Sequence, residues 1–182
     1  MLDGGLSGLE SVVLSSAAAS NAVMLGGGYF NPLTGYQSRD DALSVALEMR
    51  TSSGLFWPFP VLNLTKSRVL SGPGDRIVLR DPNSDNNSIL AVQTVEKIET
   101  LSRSEMSEIA MSVFGTLDEL HPGVATFLAQ GQNLVAGPID VLDFSYFGRD
   151  YPGTFATAYE IRAEFRRRGW DRVVAFQTRN PM

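Results

Sequence analysis

Hydrophobic and polar positions change texture along this chain, and each change predicts a different kind of element. Residues 12–25 are rich in Val, Leu, Ala and Met and stop at Gly26, Gly27 and Gly28, so a short helix or two is expected before a glycine turn. Ser38 stands ahead of Asp41, Leu43, Ala46, Leu47 and Met49, a capping residue followed by helical spacing that predicts a helix over 41–50. From 55 to 98 the texture turns to short β-rich runs at 61–64, 76–79 and 89–95, punctuated by Pro58, Pro60, Gly72, Pro73 and Gly74. Polar residues 81–88 separate two of these runs and read as a hairpin or surface loop, without chemistry of their own.

Helical spacing returns at Met106, Ile109, Ala110, Val113 and Phe114, behind a capping-box pair at Ser102 and Glu105, and stops at Gly115. Pro122 can open a further helix through Leu128, and 134–147 alternates like a strand. The last stretch has a helical pattern over 154–168, a capping Gly169, and a β run over 172–176. Phe176 is therefore expected to end a strand that enters the polar loop Gln177-Thr178-Arg179-Asn180. Small helices on a mainly β framework make the expected class α+β.

Such a framework needs one sizeable core, which 182 residues with 43% hydrophobic and 19% charged composition can supply, so one main domain is expected. The formal net charge of -5 and the pI near 4.9 argue against a general nucleic-acid binder, whose phosphate contacts need a basic face. The absence of Cys excludes disulfides, thiolate metal sites and cysteine nucleophiles, and it suits a reducing cytoplasm. The opening residues lack a basic leader, and no apolar run approaches the ~18 residues a membrane span needs, so a soluble, unprocessed, cytoplasmic protein away from the membrane is expected.

Candidate chemistry is sparse until the last loop. No phosphate-binding Gly-x-x-x-x-Gly-Lys-Ser/Thr loop occurs, and Gly26-Gly27-Gly28 lacks the strand and helix context of a dinucleotide fingerprint, so its role reads as mostly conformational. His121 is the only histidine, which rules out a multi-histidine metal site within this chain, and in His121-Pro122-Gly123 a structural turn outweighs catalysis. Phe56-Trp57-Pro58-Phe59-Pro60 offers a ligand-stacking surface, but rings beside rigid prolines more often pack a barrel rim. Arg149, Arg162, Arg166, Arg167, Arg168, Arg172 and Arg179 make seven of the 15 Lys and Arg, most of them expected on a solvated helix face. Arg179 differs because it follows a predicted strand between Thr178 and Asn180. A guanidinium grips two oxygens of sulfate or phosphate at once, while hydroxyl and amide donors serve neighbouring oxygens.

Five blocks, in order across nearly the whole chain, resemble the ATP sulfurylases (sulfate adenylyltransferases). They are Gly28-Tyr29-Phe30-Asn31-Pro32-Leu33-Thr34-Gly35-Tyr36; Met49-Arg50 ahead of Gly54-Leu55-Phe56-Trp57-Pro58-Phe59-Pro60-Val61; Gly74-Asp75; the block from Phe114-Gly115-Thr116 to His121-Pro122-Gly123-Val124; and Gly169-Trp170 leading into Val173-Val174-Ala175-Phe176-Gln177-Thr178-Arg179-Asn180-Pro181-Met182. The last is similar to the family's signature, and the Phe-Trp-Pro-Phe-Pro-Val wording also looks like enzymes of sulfur-oxidising bacteria.

The resemblance implies a PUA-like β-barrel with added helices over 1–168, then over 169–182 the first strand of a Rossmann-like nucleotidyltransferase domain. It implies a reaction of ATP, as its Mg2+ complex, with sulfate to give adenylyl sulfate and pyrophosphate, with no tightly bound cofactor and no resident metal. By the same resemblance Gln177 and Arg179 would hold sulfate, Thr178 and Asn180 would contact the phosphates, and Thr178, Arg179 and Asn180 would form the catalytic group, with Arg179 countering transition-state charge. The family's signature continues into a His-x-x-His element, and this sequence stops at Met182 before such a histidine, so the chain is expected to be an amino-terminal part, inactive alone, of a homo-oligomeric enzyme. Two other readings stand beside it: a nucleic-acid module, which the acidic balance opposes, and a non-catalytic PUA-like binding or structural module.

Overall fold

The computed structural model describes residues 5–176, which form seven strands and six helices. In chain order these are β1 (Ser11–Val13), α1 (Ser16–Gly26), β2 (Gly35–Tyr36), α2 (Arg39–Glu48), β3 (Leu64–Thr65), β4 (Arg76–Arg80), β5 (Ile89–Thr94), β6 (Lys97–Thr100), α3 (Arg103–Phe114), α4 (Pro122–Ala129), β7 (Asn133–Val141), α5 (Phe147–Asp150) and α6 (Ala158–Arg168). Side-chain caps decide where most helices begin. Ser15, Ser38, Ser102 and Thr157 sit in extended conformation and accept from the N–H groups of Ala18, Asp41, Glu105 and Glu160, satisfying donors the helix cannot. Ser102 with Glu105 and Thr157 with Glu160 are reciprocal capping boxes. His121 caps α4, its Nδ1 accepting from Val124 N–H at 3.4 Å just before Pro122, which is the structural role its sequence context favoured.

The sheet is organised around β7. Along one edge β7 pairs antiparallel with β6 (Lys97↔Ala136 to Thr100↔Asn133) and then with β5 (Gln93↔Ile139 to Ala91↔Val141). Its other edge pairs with β3 at Leu134 and Asn133 and with β2 at Pro138 and Gly137. β5 continues to β4 as the predicted hairpin, and β1 adds to β4 in parallel. The change of partners falls at Gly137, where φ is +139° and a Cβ would lie 2.1 Å from the Thr94 carbonyl oxygen. Opposite it, a Cβ on Gly35 would lie 2.0 Å from the Gly137 carbonyl oxygen, so both positions exclude any side chain.

Two apolar cores flank this sheet. Ala18, Ala19, Ala22, Val23 and Leu25 of α1 pack on Tyr36, Ile77, Leu79, Leu90 and Val135, while α2, α3 and the Leu62, Leu64 and Leu134 side chains build the second around Leu101, Met106 and Ile109. Between them runs a line of fully buried amides: Asn63 Nδ2 donates to Gln93 Oε1 at 3.0 Å, and Gln93 Nε2 donates to the Val135 carbonyl at 3.0 Å. These bonds tie the segment before β3 to β5 and β7, where a buried amide must find partners.

Several boundaries differ from the sequence reading because tertiary pairing overrides local propensity. Val12 and Val13 are drawn into β1 by parallel pairing with Leu79 and Arg80, so α1 starts only after the Ser15 cap. In the 61–64 run only Leu64 joins a ladder, since Val61 N–H is taken by the Gln37 side chain at 2.8 Å. The 134–147 alternation ends at Val141 and gives way to α5. The 41–50 helix ends at Glu48 with Met49 left-handed, and the 154–168 helix starts at Ala158 because Thr157 caps it. Residues 172–176, expected as a strand closed by Phe176, form none: no strand among the described residues lies beside them to take their backbone hydrogen bonds.

Candidate functional site

The route from the sheet toward the signature residues is built of short, specific contacts. Leaving β7, the Leu142 and Asp143 N–H groups both donate to the Leu90 carbonyl, at 2.9 and 3.1 Å, and Ser145 Oγ donates to Asp81 at 2.6 Å. Phe144, Phe147 and Phe155 then gather, with Phe144 and Phe155 centroids 5.6 Å apart and Phe147 and Phe155 6.0 Å apart. Past this cluster the chain meets the glycine turn. Ala158 N–H donates to the Gly27 carbonyl at 2.8 Å, and the Tyr29 hydroxyl donates to the Ala156 carbonyl. Burial, and then the Glu160 carboxylate, push the Tyr29 phenol up, so it stays protonated as that donor.

α6 carries the chain onward with no buried residue. Glu164 accepts from Arg167 and Arg168, and hydrogen bonds from both guanidinium groups hold its carboxyl at about 2. Gly169 closes the helix at φ +67°, and the Arg168 guanidinium lies 4.7 Å over the Trp170 ring. Beyond it Val174 is 97% and Phe176 81% exposed, apolar side chains that nothing among the described residues covers. Gln177, Thr178, Arg179 and Asn180 lie outside the described residues, so the structure places their approach and not their side chains.

The other candidates take structural roles. Trp57 packs against the first core, with Phe30 edge-on at 5.5 Å and Phe59 at 6.2 Å, which is the packing reading of the Phe-Trp-Pro-Phe-Pro run. A cavity of about 700 Å³ lies between the start of α1 and residues 64–69, away from the aromatic run and the signature approach. Among the described residues no group of three or more His, Asp or Glu is placed to hold a metal ion, and no helix is long and apolar enough to cross a membrane. Sequence reasoning gave Gly28 a turn and singled out neither Tyr29 nor Tyr159. Tyr29 lies in the first block of the resemblance, which does not say what the block touches, and Tyr159 lies in none of the five blocks.

Residues 4–144 match the PUA-like domain family, and residues 153–182 match the ATP-sulfurylase family. The sulfate adenylyltransferase of Alcanivorax borkumensis is 53% identical over 174 residues, 96% of this chain and 43% of the relative. That of Allochromatium vinosum is 52% identical over 96% of this chain and 44% of its own length, and that of the Riftia pachyptila sulfur-oxidizing endosymbiont is 47% identical over 96% and 39%. Among solved structures, a hexameric APS kinase from Thiobacillus denitrificans superposes with a TM-score of 0.66 at 26% identity, over 97% of this chain and 30% of that one. The chain thus spans less than half the length of these relatives.

A seven-stranded mixed sheet organised on one long strand, matched over most of its length, defines the class as a PUA-like domain. More narrowly, residues 153–182 are similar to the ATP-sulfurylase family, and 96% of the chain is similar to less than half the length of the sulfate adenylyltransferases named above.

Proposed function

We propose that this chain is the amino-terminal part of an enzyme that joins sulfate to the adenylyl group of ATP. The reading is carried by the ATP-sulfurylase match over 153–182, a stretch that leaves the PUA-like domain along α6 and contains Gln177-Thr178-Arg179-Asn180. In the reaction a sulfate oxygen forms a bond to the α-phosphorus of ATP, the bond from that phosphorus to the bridging oxygen breaks, and pyrophosphate leaves with the electron pair. ATP enters as its Mg2+ complex. Sulfate is a weak nucleophile and adenylyl sulfate a high-energy anhydride, so rate comes from alignment and charge stabilisation.

In this proposal Gln177 and Arg179 hold sulfate, Thr178 and Asn180 contact the phosphates, and Arg179 also offsets the charge that builds as the bonds exchange. Residues 1–168 serve as a PUA-like scaffold and partial wall, and 169–182 enter a Rossmann-like nucleotidyltransferase domain as its first strand. That reading agrees with the bare backbone of 172–176: the partner strands would come from sequence that relatives of more than twice this length possess. A homo-oligomer is the proposed working form, supported by the one solved relative described as hexameric, and a cytoplasmic location is part of the same proposal. The test is a pyrophosphate-release assay with ATP, Mg2+ and sulfate on the protein extended to the length of its relatives. Adenylyl sulfate formation is expected. Its absence in a folded extended protein would leave the non-catalytic PUA-like module as the better reading.

A further inference from the structure

The glycine turn after α1 has a partner 127 residues further along the chain, where the Tyr29 hydroxyl donates to the Ala156 carbonyl. Two more contacts join the same places. Ala158 N–H donates to the Gly27 carbonyl at 2.8 Å, and Gly28, at φ +75°, lies so close under the Tyr159 ring that a Cβ there would sit 2.7 Å from it. Thr157, between them, is the residue whose capping box starts α6. The seat therefore holds the first turn of a helix that buries no side chain of its own.

We propose that Gly27, Gly28 and Tyr29 form a seat that sets the direction of α6, and so the direction in which the chain leaves toward Gln177 to Asn180, the residues assigned above to adenylyl transfer. They are positioning residues, and the inference rests on that reading for its consequence though not for the seat itself. The reason is leverage. Eleven residues of α-helix extend about 16 Å, so a tilt of about 10° at the seat moves the far end by about 3 Å. A displacement of about 1 Å at reacting groups can cost about a hundredfold in rate. Tyr29 holds the backbone just before the Thr157 cap by a hydrogen bond, Gly27 accepts from the first N–H of the helix, and Gly28 leaves room for the Tyr159 ring, so three contacts fix the helix start. A helix of this length is also marginal in water by itself, so loss of the seat should loosen it.

Hydrogen exchange on the 182-residue chain tests the seat without reference to activity. Tyr29→Phe and Gly28→Ala are expected to quicken exchange across α6 by about three- to tenfold, the scale of one lost hydrogen bond, while β5 and β7 stay as in the wild type. Unchanged α6 exchange, or an acceleration shared by β5 and β7, overturns the seat. In the extended enzyme, Gly28→Ala is expected to lower kcat at least about tenfold and raise KM for sulfate; Tyr159→Ala added to it should recover the part due to the ring the new methyl meets, while the strain of a side chain at φ +75° stays. A Gly28→Ala enzyme with wild-type kinetics, or a Tyr29→Phe enzyme whose kcat and KM for sulfate are unchanged, overturns the positioning role. A wild-type extended protein with no adenylyl transfer would refute the proposed function and leave the exchange result standing.

Discussion

At the residue scale the sharpest expectation concerns Arg179. A dianionic nucleophile approaching a polyphosphate must be held against charge repulsion, and a planar guanidinium can grip two of its oxygens at once. In the extended protein Arg179→Ala is expected to keep the fold and lower turnover by about two to three orders of magnitude, the scale for one lost charge-stabilising donor. Arg179→Lys should recover little, because a point charge lacks the fork. Steady-state kinetics beside a circular-dichroism spectrum checks both, and near wild-type turnover of the alanine variant would remove Arg179 from the site. Gly137 is the corresponding structural residue. With φ +139° and the Thr94 carbonyl 2.1 Å from any Cβ, Gly137→Ala should cost at least ~3 kcal/mol of stability, read from a urea midpoint.

At the scale of the element, α3 joins capping to electrostatics. Glu105 accepts from the Ser102 backbone N–H and hydroxyl, and from Arg39, which reaches it from α2. The Ser102 N–H first, then the Arg39 guanidinium, lower its carboxyl from 4.5 to about 2. The folded form thus favours the ionised carboxylate. The corresponding stability is fully present above pH 4.5 and is lost as pH falls through about 2. Urea unfolding followed from pH 5 to about 2 should show this decline, and Glu105→Gln should flatten part of it. At neutral pH, Ser102→Ala should cost about 1 kcal/mol, the usual value of an N-cap.

At the scale of the whole molecule, the chain supplies less than half the length of its relatives, and its own described residues assemble a PUA-like domain and an arm. The 182-residue chain by itself is therefore expected to release no pyrophosphate from ATP and sulfate. Seven arginines after residue 148 give local positive potential against a net charge of -5, and Glu164 already engages two of them. RNA affinity near physiological salt should accordingly stay weaker than micromolar, and a filter-binding titration showing tighter, salt-sensitive binding would revive the nucleic-acid reading.

What the sequence by itself determined is local. Ser38, Ser102 and Gly115 mark helix ends because a cap is a contact within one turn, and the hairpin of β4 and β5 is legible because its loop is polar and its strands are adjacent. The wording of the signature likewise makes Arg179 and its neighbours the site candidates. Tertiary structure decided what depends on distant partners: β1 taking Val12 and Val13 from the expected helix, β7 exchanging neighbours at Gly137, and the seat of α6 on Tyr29. The same reason explains the strand expected at 172–176, a short β run whose backbone finds no neighbouring strand among residues 5–176. A strand is completed by its partner, and residue order alone does not say which partner the folded chain will bring.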